Sequence, residues 1–120
     1  MKAAAMDFLR KVAAGQVSEA YALHVSPTFR HHNPYFRGDA ESLKNAMQQN
    51  ALKNPDKVFE IQHALQEGDL VAVHSRVRQH PQDRGGTVVH LFRFHQGRIE
   101  EFWDIGQAEP EEMVNENGMF

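Results

Sequence analysis

Two polar side chains stand out in the second half of the chain because the segments that carry them are otherwise apolar. His90 lies in VVHLF and Asp104 in FWDIG, and both segments are typical of β-strands. An apolar pocket raises the pKa of a carboxylate, which suits it to remove a proton next to a carbonyl near neutral pH. The alternative is that Asp104 ends its strand in water or pairs with an arginine.

The turn between these two segments predicts that His90 and Asp104 are neighbours. Gln96-Gly97 is a tight-turn signal between strands predicted at residues 87–95 and 98–106. Partners across such a turn have residue numbers with a constant sum, which is about 193 here. We therefore expect His90 to lie opposite Asp104 or its neighbour, in contact or on the diagonal.

Eight histidines among 120 residues raise the question of a metal site. A transition-metal site needs three or four converging ligands, commonly with a local spacing such as His-x-x-x-His on a helix. No such spacing occurs in this chain. Four residues from separate segments, His32, His74, His90 and Asp104, would have to converge instead. We predict neither a metal nor another cofactor.

Length and composition narrow the class of protein. A chain of 120 residues predicts a single domain over residues 1–120, long enough to bury a core. The absence of cysteine excludes disulfides and thiolate chemistry and favours a reducing compartment, for which we expect the cytoplasm. The formal charge of -3, with scattered basic residues, argues against a nucleic-acid partner. Asp7, Arg10 and Lys11 interrupt the first apolar patch too soon for a signal peptide or a membrane span.

Helix signals occupy the first half of the chain. Apolar spacings of three and four predict a helix over residues 2–14. Ser18 can cap a second helix, and Asp39 can cap a third helix that ends at Asn54-Pro55. Residues 28–38 lie between these two helices and are typical of a short strand followed by a loop.

From residue 58 onward the apolar period changes to two, which is the alternation of β-strands. Turns at residues 67–69 and 96–97, and a loop before residue 87, divide this half into four strands in hairpin order. Helices followed by such strands indicate an α+β domain with helices on one face of an antiparallel sheet. Both faces of the strands carry large apolar groups, so we expect the second face to meet an identical sheet in a homodimer.

With these elements in this order, the chain resembles the SnoaL-like polyketide cyclase family of the nuclear transport factor 2-like superfamily. The resemblance covers nearly the whole chain, and FRHHNP, GDLVAVHS and the LFRFHQGRIEEFWD hairpin carry most of it. It implies a cone-shaped half-barrel, in which the N-terminal helices pack into a curved antiparallel sheet and leave a pocket open at one end. The superfamily includes cyclases, isomerases, hydrolases, dehydratases and noncatalytic binding proteins, so the fold alone does not decide the activity.

The resemblance also implies roles for particular residues. In the polyketide cyclases, an acidic residue on the last strand is the acid/base and a histidine on the neighbouring strand supports it; Asp104 and His90 match these positions. The family often has a histidine and an asparagine at the pocket mouth. His32 and Asn33 match them and could donate hydrogen bonds to a carbonyl or an enolate. Alternatively, this segment only forms a turn that an imidazole caps, and we expect His31 to point away.

Four further side chains complete the predicted ligand-binding set. The alternation of its strand allows His74 to face the pocket, although a strand histidine is more often structural. Tyr35 is expected at the entrance, and Phe92 and Trp103 in the pocket wall or the core. The resemblance implies a small apolar carbonyl compound as the ligand and an aldol-type cyclisation or an isomerisation as the reaction. The alternatives are a noncatalytic binding module and a scaffold whose function is dimer assembly.

Overall fold

The computed structural model describes residues 1–120 as three helices and five strands, with one strand inserted between the second and third helices. In chain order the elements are α1 (Lys2–Ala13), α2 (Val17–His24), β1 (Val25–His31), α3 (Ala40–Lys53), β2 (Val58–Glu67), β3 (Leu70–Arg78), β4 (Gly86–His95) and β5 (Arg98–Ala108).

The first and third helices form where the sequence predicts them and for the predicted reasons. α1 buries Ala5, Phe8 and Leu9, which lie three and four positions apart along one side of the helix. α3 begins after Asp39, whose carboxylate accepts a hydrogen bond from the Ser42 backbone N–H at 3.0 Å. This bond satisfies one of the free N–H groups at the helix start and confirms the predicted cap.

The second helix begins two residues earlier than expected, and the predicted Ser18 cap is wrong. Val17 is the first helical residue, and no side chain caps the helix at Gln16. Ser18 therefore lies in the first turn, where its Oγ accepts a hydrogen bond from the Gln48 side chain of α3 at 3.0 Å. This residue joins two helices instead of starting one. None of the three helices combines the length and the apolar character needed to cross a membrane.

The five strands form one sheet in the order β1-β5-β4-β3-β2. The last four strands are antiparallel neighbours, which confirms the predicted hairpin order and the α+β class. β1 pairs with β5 in the parallel direction, with His31 beside Phe102. The sheet is therefore mixed, whereas the sequence indicated an antiparallel sheet. β1 follows α2 directly, so the way α2 packs sets the direction of this strand.

The helices cover one face of the sheet, here called the inner face; the opposite face is the outer face. Phe8 of α1 lies against Phe92 and Phe102 of the sheet, with ring centroids 6.1 and 6.2 Å away. All three side chains are fully buried, and large aromatic rings supply much of the buried area of a small core. Because side chains alternate along a strand, these rings determine which residues of β4 and β5 face inward.

One extra residue in β5 sets the register at the centre of the sheet. The pairing of β4 with β5 shifts between Arg93 and Phe94, where Glu100 has no partner and forms a β-bulge. Beyond this bulge, the sum of paired residue numbers is one larger than beside the turn. His90 consequently lies directly opposite Asp104, which confirms that the two residues are neighbours.

Candidate functional site

A cavity of about 300 Å³ lies between α1, α3 and the inner face of the sheet. Ten of its sixteen lining residues are apolar, so the wall suits a mostly apolar ligand. Phe92 and Phe102 pack below α1 and do not fill the cavity. Six polar side chains also line it: Asn33, Asn50, Lys57, Gln79, His90 and Asp104.

His90 reaches the cavity from β4 as a neutral ring. Its imidazole stacks on Phe102 with ring centroids 5.3 Å apart, and its Nδ1 is buried without a hydrogen-bond partner. Burial lowers the pKa of His90 to about 4, because the charged imidazolium would lose its hydration. At neutral pH the ring therefore has one N–H donor and one acceptor nitrogen. An unpaired buried nitrogen is costly unless a ligand supplies its partner.

Asn33 holds Asp104 in place from the loop after β1. The Asn33 Nδ2 donates a hydrogen bond to Oδ2 of Asp104 at 3.0 Å, and the Asn33 Oδ1 accepts one from the Tyr35 backbone N–H at 2.9 Å. The side-chain amide is thus fixed at both ends. The other carboxylate oxygen of Asp104, Oδ1, accepts no hydrogen bond from the Asn33 side chain and remains able to accept a proton. The structure thereby brings Asn33, His90 and Asp104 to one cavity.

His31 supports Asn33, although we expected its side chain to point away. The ring is buried on the inner face, stacked against Phe29, and does not itself line the cavity. Its Nδ1 accepts a hydrogen bond from the Asn33 backbone N–H at 3.1 Å. Nε2 then carries the ring proton and donates to the Arg37 carbonyl. His31 therefore closes the loop that presents Asn33 to Asp104.

Lys57, which no sequence pattern indicated, lines the cavity from the loop before β2. Its ammonium donates a hydrogen bond to Oδ1 of Asn50 on α3. Partial burial lowers the pKa of Lys57, and the residue takes part in none of the salt bridges of the protein. A lysine in a loop is usually solvated, so the sequence carried no signal that this one lies against a cavity.

His32 and Trp103 lie on the outer face, so their predicted place in the pocket is wrong. The His32 ring stacks on Trp103 with centroids 5.0 Å apart, and its Nε2 is 2.6 Å from a carboxylate oxygen of Glu101. One residue of the sequence could have indicated the face on which His32 lies. This residue is Phe29, a large apolar side chain that is buried in the core. Since side chains alternate along β1, an inward Phe29 places His31 inward and His32 outward.

The other three predicted ligand contacts are also absent from the cavity. His74 lies on the outer face, where its Nε2 is 2.7 Å from Oγ1 of Thr87. Phe92 is fully buried in the core below α1. Tyr35 is 85% exposed, and its neighbour Phe36 lines the cavity instead. Strand alternation showed which residues share a face with His74, but it could not show which face meets the helices.

The four residues that a metal site would have needed do not converge. His90 and Asp104 line the cavity on the inner face, whereas His32 and His74 make their contacts on the outer face. Nowhere in the chain is a group of three or more histidine, aspartate and glutamate side chains arranged to hold a metal ion.

One protein family matches this chain. The family, described as SnoaL-like domain, matches residues 5–102, which is most of the sequence. No match was found among curated proteins.

Several solved structures share the fold. AclR, a candidate hydroxylase from Streptomyces galilaeus, is 21% identical with a TM-score of 0.77, over 91% of this chain and 79% of AclR. A candidate polyketide cyclase from Acidithiobacillus ferrooxidans is 20% identical with a TM-score of 0.69, over 87% of this chain and 85% of that protein. IdmH, a candidate polyketide cyclase from Streptomyces antibioticus, is 24% identical with a TM-score of 0.66, over 85% of this chain and 91% of IdmH. At these identities the likeness shows a common fold alone.

Proposed function

We propose that this chain, which belongs to the SnoaL-like domain family, binds a small and largely apolar carbonyl compound and transfers a proton at the carbon next to the carbonyl. The observation that carries the proposal is the pairing of His90 with Asp104 on two strands that line one apolar cavity. Titratable groups that converge in an apolar cavity are candidates for acid/base chemistry.

Asp104 is the base in this proposal. The hydrogen bond from Asn33 engages Oδ2 at 3.0 Å and orients the carboxylate, so that Oδ1 can meet a C–H group of the ligand. A positioned side-chain base contributes roughly 10²–10⁴-fold to the rate of such a step. Removal of the proton leaves an enolate, whose negative charge develops on the former carbonyl oxygen.

His90 and Asn33 stabilise that oxygen. The His90 ring is neutral because its pKa is about 4, and a neutral imidazole donates a hydrogen bond to an enolate through its N–H. The Asn33 amide has a second N–H group besides the one that engages Asp104. His90 thereby takes the role that the family resemblance implied for His32, whereas Asn33 keeps its role.

The enolate then has two outcomes. If its carbon attacks a second carbonyl of the same ligand, a ring closes in an aldol-type cyclisation; if the proton returns to a different carbon, the ligand isomerises. Both reactions move only protons and electron pairs between the ligand and the carboxyl group, so the proposal includes no cofactor. It places the reaction in the cytoplasm, in keeping with a chain that has no cysteine.

A noncatalytic binding protein is the second candidate, and one observation favours it. The Asp104 carboxylate is hydrogen-bonded to Asn33, while Nδ1 of His90 has no partner in the protein. The two residues are therefore opposite each other without forming a hydrogen-bonded catalytic pair. In a binding protein both side chains would only contact polar groups of the ligand.

Hydrogen–deuterium exchange separates the two candidates without the natural substrate. The small apolar ketone 2-tetralone is incubated with the protein in D₂O, and NMR follows the loss of the proton signal next to the carbonyl. We expect the parent protein to accelerate the exchange above the buffer rate. Asp104→Asn should lower the protein-dependent rate about 100-fold, because an amide cannot accept the proton.

Asp69→Asn is the matched control, since it neutralises an exposed carboxylate in the turn between β2 and β3. This variant should exchange protons at the parent rate. If Asp104→Asn binds 2-tetralone and exchanges the protons next to its carbonyl as fast as the parent does, Asp104 is not the base. If the parent binds the ketone without accelerating exchange, the protein is a binding module.

A further inference from the structure

We propose that the same cavity contains an anion subsite, formed by Lys57, Asn50 and Gln79, that binds the carboxylate of a keto acid. The inference rests on the proposed function, because it specifies the class of carbonyl compound that the cavity takes. All three side chains line the cavity that holds His90 and Asp104.

Lys57 supplies the positive charge of the anion subsite. Its ammonium contacts the neutral amide oxygen of Asn50 and forms no salt bridge. Removing a charge from water costs free energy unless an opposite charge compensates, and the lowered pKa of Lys57 has burial as its cause. A ligand carboxylate would provide the missing opposite charge through a charge-assisted hydrogen bond.

Gln79 supplies a second unpaired polar group. This residue follows the end of β3, and its Oε1 is buried without a hydrogen-bond partner. A half-turn of the side-chain amide places its NH₂ group at the same position, where it can donate to a carboxylate oxygen. The structure therefore has two polar groups on one cavity wall, Lys57 and Gln79, that lack a partner of matching charge or hydrogen-bonding capacity.

The anion subsite lies across the sheet from the proposed base. Asp104 is on β5, next to the edge strand β1, whereas Gln79 follows β3 and Lys57 precedes β2 at the opposite edge. The remaining wall is mostly apolar. A ligand that meets both ends has a ketone, an apolar middle and a carboxylate. The single positive charge of Lys57 balances the single negative charge of a carboxylate. A phosphate dianion would leave one negative charge in the cavity without an opposite charge.

The test compares 3-phenylpropanoate with 3-phenylpropanamide, two probes of similar shape that differ in charge and carry no ketone. Binding is measured by NMR titration or calorimetry. We expect the parent to bind the acid about tenfold more tightly than the amide, which is the typical effect of one charge-assisted hydrogen bond. The preference should disappear in Lys57→Met and persist in Lys57→Arg, because arginine keeps the positive charge.

Lys53→Met is the matched control, since it neutralises an exposed lysine at the end of α3 and should keep the preference for the acid. Equal binding of acid and amide by the parent, or binding of neither, would overturn the anion subsite. An undiminished preference in Lys57→Met would do the same.

A separate experiment tests whether Lys57 reacts with the ligand instead. The protein is incubated with 4-oxo-4-phenylbutanoate and borohydride, and the mass of each peptide is measured. A reduced adduct on Lys57 would identify this lysine as a nucleophile and overturn the anion subsite; an unmodified Lys57 is expected. If the parent does not prefer the acid over the amide, the deuterium exchange of 2-tetralone can still depend on Asp104. The two proposals can therefore fail independently.

Discussion

The half-buried imidazole of His90, whose Nδ1 is fully buried, makes the stability of this protein depend on pH in a defined direction. Burial lowers the pKa of His90 to about 4, whereas the ordinary value of 6.5 applies to the unfolded chain. Between these values the unfolded chain binds a proton that the folded protein excludes. The contribution of His90 to the free energy of unfolding is therefore fully present at a pH above its pKa in the unfolded chain. It is lost progressively as the pH falls to its pKa in the folded protein.

The gap between the two pKa values sets the size of the effect. One pH unit corresponds to about 1.4 kcal/mol, so the whole window amounts to about 3 kcal/mol in the free energy of unfolding. Between pH 7 and pH 5 the loss is about 2 kcal/mol, which is a large share of the stability of a small domain. His90→Gln replaces the titrating ring by a polar side chain that does not titrate. This part of the pH dependence should disappear in the variant.

Urea unfolding at pH 7 and pH 5 measures the effect. The other titrating groups act on parent and variant alike, so the difference between the two pH dependences isolates His90. His80→Gln is the control, because His80 is exposed and its replacement should leave the pH dependence unchanged. The reasoning is refuted if His90→Gln loses stability on acidification as steeply as the parent. An NMR titration midpoint near 6.5 for His90 in the folded protein would refute it as well.

Three further predictions concern the core, a helix cap and the assembly. Phe8→Ala leaves a cavity among fully buried rings and should lower the free energy of unfolding by about 3–5 kcal/mol in urea titrations; a negligible loss would contradict the packing. Asp39→Ala removes the side-chain cap of α3 and should cost about 1 kcal/mol in the same assay, whereas Asp56→Ala, in the exposed loop after α3, should cost little. We also propose that the outer face joins two copies of the chain, because Ile105 and Leu65 are 61% and 69% exposed there. Sedimentation should find a dimer for the parent and a monomer for Ile105→Lys, and a monomeric parent would rule out this interface.

Signals of short range in the sequence predicted most of the elements. The Asp39 cap, the Gln96-Gly97 turn and the alternation after residue 58 all occur where they were expected. Each signal depends on residues within a few positions of one another, so a single sequence contains the information. The proximity of His90 and Asp104 belongs to this group, since a tight turn sets the approximate register of the two strands that it joins.

Contacts between distant segments determined which face of the sheet is inner, the exact register of β4 with β5, and the lining of the cavity. Strand alternation groups residues by face, but only the packing of the helices determines which face is inner, and this packing put His32 and His74 outside the cavity. The bulge at Glu100 moved the register by one residue and so placed His90 opposite Asp104. Lys57 lies in a loop, where no period predicts the direction of a side chain. The sequence by itself thus determined the order of the elements and the polar pair. The tertiary structure determined the cavity and its lining, because burial depends on which distant element covers a residue.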